Sequence, residues 1–184
     1  MKLTVEEKST LIALAREAIR LVMSGSGPED SPAKQLTAGL KGKSGAFVSI
    51  YKGQALRGSM GLILPILPLW QAVRDSAIYA AFRDHRFSPL TPDELDDVTL
   101  EVVVPVSRTS PIEASDIRSG SRGIILRKGF RQAALLPHDP EIRMRGDRRL
   151  EAYPGREPWL DPEERDRADV LEIFSAVVFT GIMS

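Results

Sequence analysis

The sequence predicts an α+β fold: a compact domain of largely antiparallel sheet with flanking helices. Three observations carry this. Apolar residues recur at helical spacing in two segments. Several short runs alternate with a period of two. Two of those runs come in pairs joined by a Lys-Gly turn, which makes them hairpins and so implies antiparallel pairing.

The elements follow in order. Thr4 and Glu7 form a capping-box pattern ahead of Leu11, Leu14, Ala15, Ala18, Ile19 and Val22, an amphipathic helix ending near Met23. The stretch SGSGPEDSP breaks it. GAFVSIYKGQALRG reads as a hairpin, with Phe47, Ser49 and Tyr51 on one face and Ala46, Val48 and Ile50 on the other. Gly53 supplies the positive φ at its turn. The second strand then runs into a loop, LRGSMG. Pro68 starts a helix through Phe82 whose apolar stripe is Leu69, Val73, Ala77 and Ala80. Thr91, Pro92 and Glu94 mark a very short helix, and VTLEVVVPVS is an alternating strand. SRGIILRKGFRQAALLP is a second hairpin turning at Lys128-Gly129. LEIFSAVVF, apolar at nearly every position, reads as a central strand covered on both faces.

Length and composition narrow the function. The 184 residues fit one domain, 1–184, with a core that needs no staples. Acidic and basic residues balance at 25 each, so the electrostatic footprint of a nucleic-acid binder is missing. There is no cysteine and only His85 and His138, which leaves too few soft ligands for a structural zinc site. No metal and no cofactor is expected. The N-terminus MKLTVEEKST is polar, and no apolar run reaches the ~18 residues of a membrane span. A cytoplasmic protein without membrane attachment is the expectation.

LRGSMG, Leu56 to Gly61, stands out for joining a permanently charged side chain to two glycines. With it come GAFVSIYKGQA before, AVRDSAIYAAFRDHRFSPLTPDEL after, then LEVVVPVS, GIILRKGFRQAALLP and IFSAVVF. In this order they resemble the AMMECR1 domain family, whose signature is Leu-Arg-Gly-Cys-Ile-Gly. The resemblance covers roughly residues 8 to 137 and 170 to 180 and includes Asp84, Arg86 and Phe87 of an Asp-x-Arg-Phe segment. It implies a compact mixed α/β domain. It also implies a poorly assigned biochemical role, associated in prokaryotes with Memo-like and radical-SAM proteins.

Two departures matter. Ser59 and Met60 stand where the family has cysteine and isoleucine, and a serine hydroxyl is not ionised near neutral pH without strong activation. Residues 138–169 lose the family pattern and carry seven arginines and no lysine between Arg143 and Arg167. That segment reads as a divergent solvated loop, with two compensating frameshifts or a basic binding element as alternatives.

The expected site is a cleft walled by Leu56, Arg57, Gly58, Ser59, Met60, Gly61, Asp84, Arg86 and Phe87. In the binding reading, Arg57 offers its planar fork to an anionic small molecule or a partner, and the glycines let it approach the main chain. In the competing reading Arg57 pairs with an internal acid such as Glu101 or Asp84, the glycines permit a tight turn, and Asp84 and Arg86 lock a turn. An enzyme acting on an anionic substrate at the same cleft, or a scaffold protein, are the alternatives. No catalytic residue is assigned: Gly-Ser-Met-Gly lacks the nucleophile-elbow spacing, and nothing places a histidine beside Ser59. The residues specify no oligomeric state.

Overall fold

The structure is a computed structural model that describes residues 2–27, 36–109, 122–128, 131–137, 144–145, 149–150 and 170–183. The fold is α+β. The helices are α1 (Val5–Met23), α2 (Ala38–Lys41) and α3 (Leu69–Phe82), with a 3-10 helix at Pro92–Asp97. The strands are β1 (Ala46–Lys52), β2 (Ala55–Leu62), β3 (Val98–Thr109), β4 (Arg122–Lys128), β5 (Arg131–Leu135), β6 (Met144–Arg145), β7 (Arg149–Leu150) and β8 (Val170–Ile182). Hydrogen-bonded strands follow the order β2-β1-β3-β8-β4-β5, and β6 and β7 form a separate pair. The chain divides into two compact units, residues 1–104 with 177–184 and residues 105–176.

The first unit begins with the capped helix. Thr4 Oγ1 accepts from the Glu7 amide at 3.1 Å, and Glu7 Oε2 accepts from the Thr4 amide at 3.0 Å. Both satisfy N–H groups that the first helical turn leaves without partners. α1 ends where Gly25 turns to φ +80, the left-handed region that a side chain resists. Its buried face is Leu11, Ile12, Leu14, Ala15, Ala18 and Ile19, the expected stripe with Ile12 added and the half-buried Val22 left out.

α3 starts one residue later than the sequence suggests. Pro68 is its cap, with ψ 143, and the Leu69 amide donates to the Gly42 carbonyl at 2.9 Å. Leu69, Val73, Ala77 and Ala80 are buried as expected, joined by Ala72, Ser76 and Ala81. Small residues along this stripe let the helix backbone settle close to the sheet.

β1 pairs antiparallel with β2 on one side and β3 on the other. Gly53, at φ +60, makes the hairpin turn. Val98, Leu100, Val102 and Val104 alternate into the core, while Glu101 and Val103 on the other face are also buried. β3 is therefore a strand buried on both faces, which its continuous valine content suits.

In the second unit β4 pairs antiparallel with β5 and with β8. Lys128 faces Arg131, so the expected hairpin forms, and its turn residues 129 and 130 lie outside the described residues. Ile124, Ile125 and Phe174 are buried there. β8 takes the expected central place in the strand order, yet residues 175–179 are only half-buried, short of full cover. Apart from β6 and β7, the arginine-rich segment 138–169 lies outside the described residues, as does His138. No described helix is long and apolar enough to cross a membrane.

Candidate functional site

Residues 56–61 are a strand rather than the expected loop. All of LRGSMG falls within β2. Its glycines suggested a bend, but each leaves room for a neighbour across an extended chain. A Cβ on Gly58 would overlap the Ala80 carbonyl oxygen of α3. A Cβ on Gly61 would overlap the Phe47 ring on β1. The space expected for a ligand against these two glycines is filled by the protein itself.

The strand carries one irregularity, and it falls at Arg57. Gly58 pairs with Ile50, and Leu56 pairs with Tyr51, so Arg57 is the extra residue of a β-bulge. A bulge re-aims the side chain it carries. The guanidinium reaches residues 88–94: Nε donates to Glu94 Oε1 at 2.8 Å and Nη2 to Glu94 Oε2 at 2.8 Å. Nη1 donates to the Ser88 carbonyl at 2.7 Å, and Nη2 also to the Pro89 carbonyl at 3.2 Å. The expectation of a guanidinium held out to solvent is therefore not met. The side chain is 15% exposed, and its fork is taken by a carboxylate and two carbonyls. The competing reading, an internal acid, is the one met, with Glu94 as the partner rather than Glu101 or Asp84.

Glu94 was legible only as a cap. Its carboxylate accepts from the Thr91 amide at 3.2 Å and from the Thr91 hydroxyl at 3.1 Å while it holds Arg57. The Arg57 hydrogen bonds hold the Glu94 carboxyl at about 2, well below its ordinary 4.5, against a smaller opposing effect of burial. The same contact pushes Arg57 further up.

The second contact with β2 is made by Asp84 and Arg86. Asp84 is buried, and its Oδ2 accepts from the Ser59 amide at 2.8 Å and from Arg86 Nη2 at 2.7 Å. Its Oδ1 accepts from Arg86 Nε at 2.9 Å and from the Arg86 amide at 3.2 Å. Arg86 Nη2 donates in turn to the Ser59 carbonyl at 3.1 Å. The pair locks its own turn and also brackets both backbone groups of Ser59. Burial pushes the Asp84 carboxyl up, but the bonds from Arg86 and from the Ser59 and Arg86 amides outweigh it and hold it low.

The Ser59 side chain goes elsewhere. Its Oγ lies 2.9 Å from Ser49 Oγ, directly across the strand pair. Ser49 is buried and pairs on its other side with Glu101, itself buried, so three polar residues form a row across β2, β1 and β3. Sequence reasoning missed Ser49, although a serine between Phe47 and Tyr51 on one strand face was a usable signal. Among the described residues, the only side chain hydrogen-bonded to the Ser59 hydroxyl is Ser49, so no general base is in place for nucleophilic attack.

The remaining expected residues divide between packing and surface. Met60 is half-buried and packs against the core. Leu56 is half-buried opposite Tyr51. Phe87 is half-buried, with the Arg86 guanidinium 5.5 Å from its ring centre. His85 is exposed. Among the described residues no group of three or more His, Asp or Glu side chains is placed to hold a metal ion.

The comparisons with known proteins bear on family and fold. Residues 12–152 match the profile of the AMMECR1 family, which extends into the arginine-rich segment. A protein of Thermococcus gammatolerans is 36% identical over 185 residues, covering 89% of this chain and 87% of its own. One from Thermofilum pendens is 38% identical over 152 residues, covering 74% and 71%. The crystal structure of an uncharacterised protein from Pyrococcus horikoshii superposes with a TM-score of 0.70 at 29% identity, over 93% of this chain and 89% of that one.

Proposed function

This chain belongs to the AMMECR1 family, and we propose that it is a cytoplasmic binding module whose ligand docks where β2 meets residues 84–87. The ligand is a small anionic molecule. One observation carries the reading: segments 25 and 27 residues apart converge on Ser59, whose amide meets Asp84 and whose carbonyl meets Arg86. Two guanidiniums, those of Arg57 and Arg86, are drawn to this one strand, each answered by a carboxylate, Glu94 and Asp84. Arg57 acts by fixing the wall of the site, because its fork is spent on Glu94 and the Ser88 and Pro89 carbonyls. A protein partner at the same surface is the rival occupant.

The test is a thermal-shift screen of carboxylate and phosphate metabolites. It compares the wild type with Arg57→Ala and Ser59→Ala, each first shown to be folded by circular dichroism. A ligand that binds only the folded state raises the melting temperature in proportion to its occupancy. The expected result is an anion that stabilises the wild type and stabilises both variants less. Equal stabilisation of all three proteins removes β2 from the site. Stabilisation by neutral compounds alone removes the anion.

A further inference from the structure

Among the described residues β2 stands at the end of the strand order, with β1 as its only strand neighbour. An end strand presents unpaired N–H and C=O groups that can template pairing with another chain. Natural edges are blunted by lysine, proline, a bulge or a covering segment. The β2 sequence ALRGSMGL has no proline and no lysine. Its one charged residue, Arg57, is neutralised by Glu94. Its bulge lies at Arg57, which leaves the regular stretch from Gly58 to Leu62 undefended by sequence.

Side chains supply the missing defence. In an antiparallel ladder, a hydrogen-bonded residue exchanges both its bonds with one opposing residue. Ser59 makes both of these bonds with one ion pair. Asp84 Oδ2, 2.8 Å from the Ser59 amide, stands where an opposing carbonyl would be. Arg86 Nη2, 3.1 Å from the Ser59 carbonyl, stands where an opposing amide would be. Gly61, two residues on and facing the same way, is exposed.

We propose that the Asp84–Arg86 pair is an edge guard that prevents β2 of a second copy of this chain from pairing with β2. The excluded occupant is another copy because an antiparallel pair of identical strands closes on a two-fold axis and needs no other partner. No charge on this stretch repels its own copy. Centring the pair near Gly61 uses the exposed position together with the groups of Ser59 that the guard now holds. This inference is independent of what the site binds.

The experiment compares mass by light scattering over a concentration series. Asp84→Ala with Arg86→Ala removes both charges together, so no buried charge is left unpaired. The wild type is expected at the mass of one chain, and the folded double variant at a mass that rises towards two chains. Adding Ser59→Pro removes the edge donor and is expected to restore one chain. If the double variant does not fold, Asp84→Ser with Arg86→Met carries the test, since it too removes both charges together and frees both backbone groups of Ser59. A folded variant that stays at the mass of one chain overturns the proposal. So does association that survives Ser59→Pro, or a wild type that already associates through β2.

Discussion

The two flanks of β2 are held by opposite kinds of force. Towards α3, Gly58 lies against the Ala80 carbonyl and Met60 packs into the core. Nothing charged takes part, and the fit is one of volume. Along the outer edge, Arg57 and Ser59 meet Glu94, Asp84 and Arg86 through charge-assisted hydrogen bonds of 2.8–3.1 Å. The helix flank tolerates no added atom and is indifferent to pH. The outer edge has polar groups that can be removed singly, and its strength depends on ionisation. A four-residue stretch, Arg57 to Met60, thus has a steric half and an electrostatic half, interleaved residue by residue.

The sharpest way to break the comparison is Gly58→Ala. The added methyl overlaps backbone, which cannot swing aside like a side chain. Overpacking of this kind costs about 3 kcal/mol or more. Denaturant unfolding is expected to show that loss, equally at pH 7 and pH 4. A loss below about 1 kcal/mol would mean that α3 yields easily and that the steric half is not rigid.

Glu94→Gln tests the other half. It removes the charge that answers Arg57 while keeping the shape, and hydrogen bonds to charged groups contribute about 1.5–3 kcal/mol each. A loss of about 2 kcal/mol at pH 7 is expected, accompanied by faster amide exchange in residues 88–94.

The pH dependence separates the halves further. The Glu94 pKa is lower in the folded protein than in the unfolded chain, so the group stabilises the fold while both states are ionised. That stabilisation is complete above 4.5 and is lost as pH falls towards about 2. Asp84, also held low, adds loss in the same direction. Stability measured from pH 6 down to pH 2 should therefore fall less steeply in Glu94→Gln than in the wild type. Parallel curves would mean that the Arg57 contact is not what lowers Glu94.

Ser59→Ala should have the smallest effect. It removes one hydroxyl contact and leaves Ser49 buried without it, at a cost of about 1 kcal/mol. The Ser59 amide and carbonyl are unchanged, so the Asp84–Arg86 bracket should persist. A much larger loss would show that the hydroxyl row across the three strands does more than pack.

Much of the fold was legible because its signals are local. Thr4 with Glu7, the stripe of α1, the Gly53 turn and the valines of β3 each act within a few residues, over which helix and strand periodicities operate. Family membership was legible for a related reason, since several such segments occur in one order. That β2 and residues 84–87 come together was legible, because Ser59, Asp84 and Arg86 do meet. The roles inside it were not.

What the sequence determined by itself is α1, α3, the two hairpins and the valine-rich β3, though not that residues 56–61 are strand rather than loop. Tertiary structure decided what they do. Whether a glycine opens the chain to a ligand or makes room for a helix depends on what lies across from it, here Ala80 and Phe47. Which acid an arginine finds depends on where its backbone aims it, and one extra residue in β2 turned Arg57 from Asp84 or Glu101 to Glu94. Periodicity is a property of neighbours along the chain, whereas an ion pair between residues 37 apart exists only once packing has brought them together.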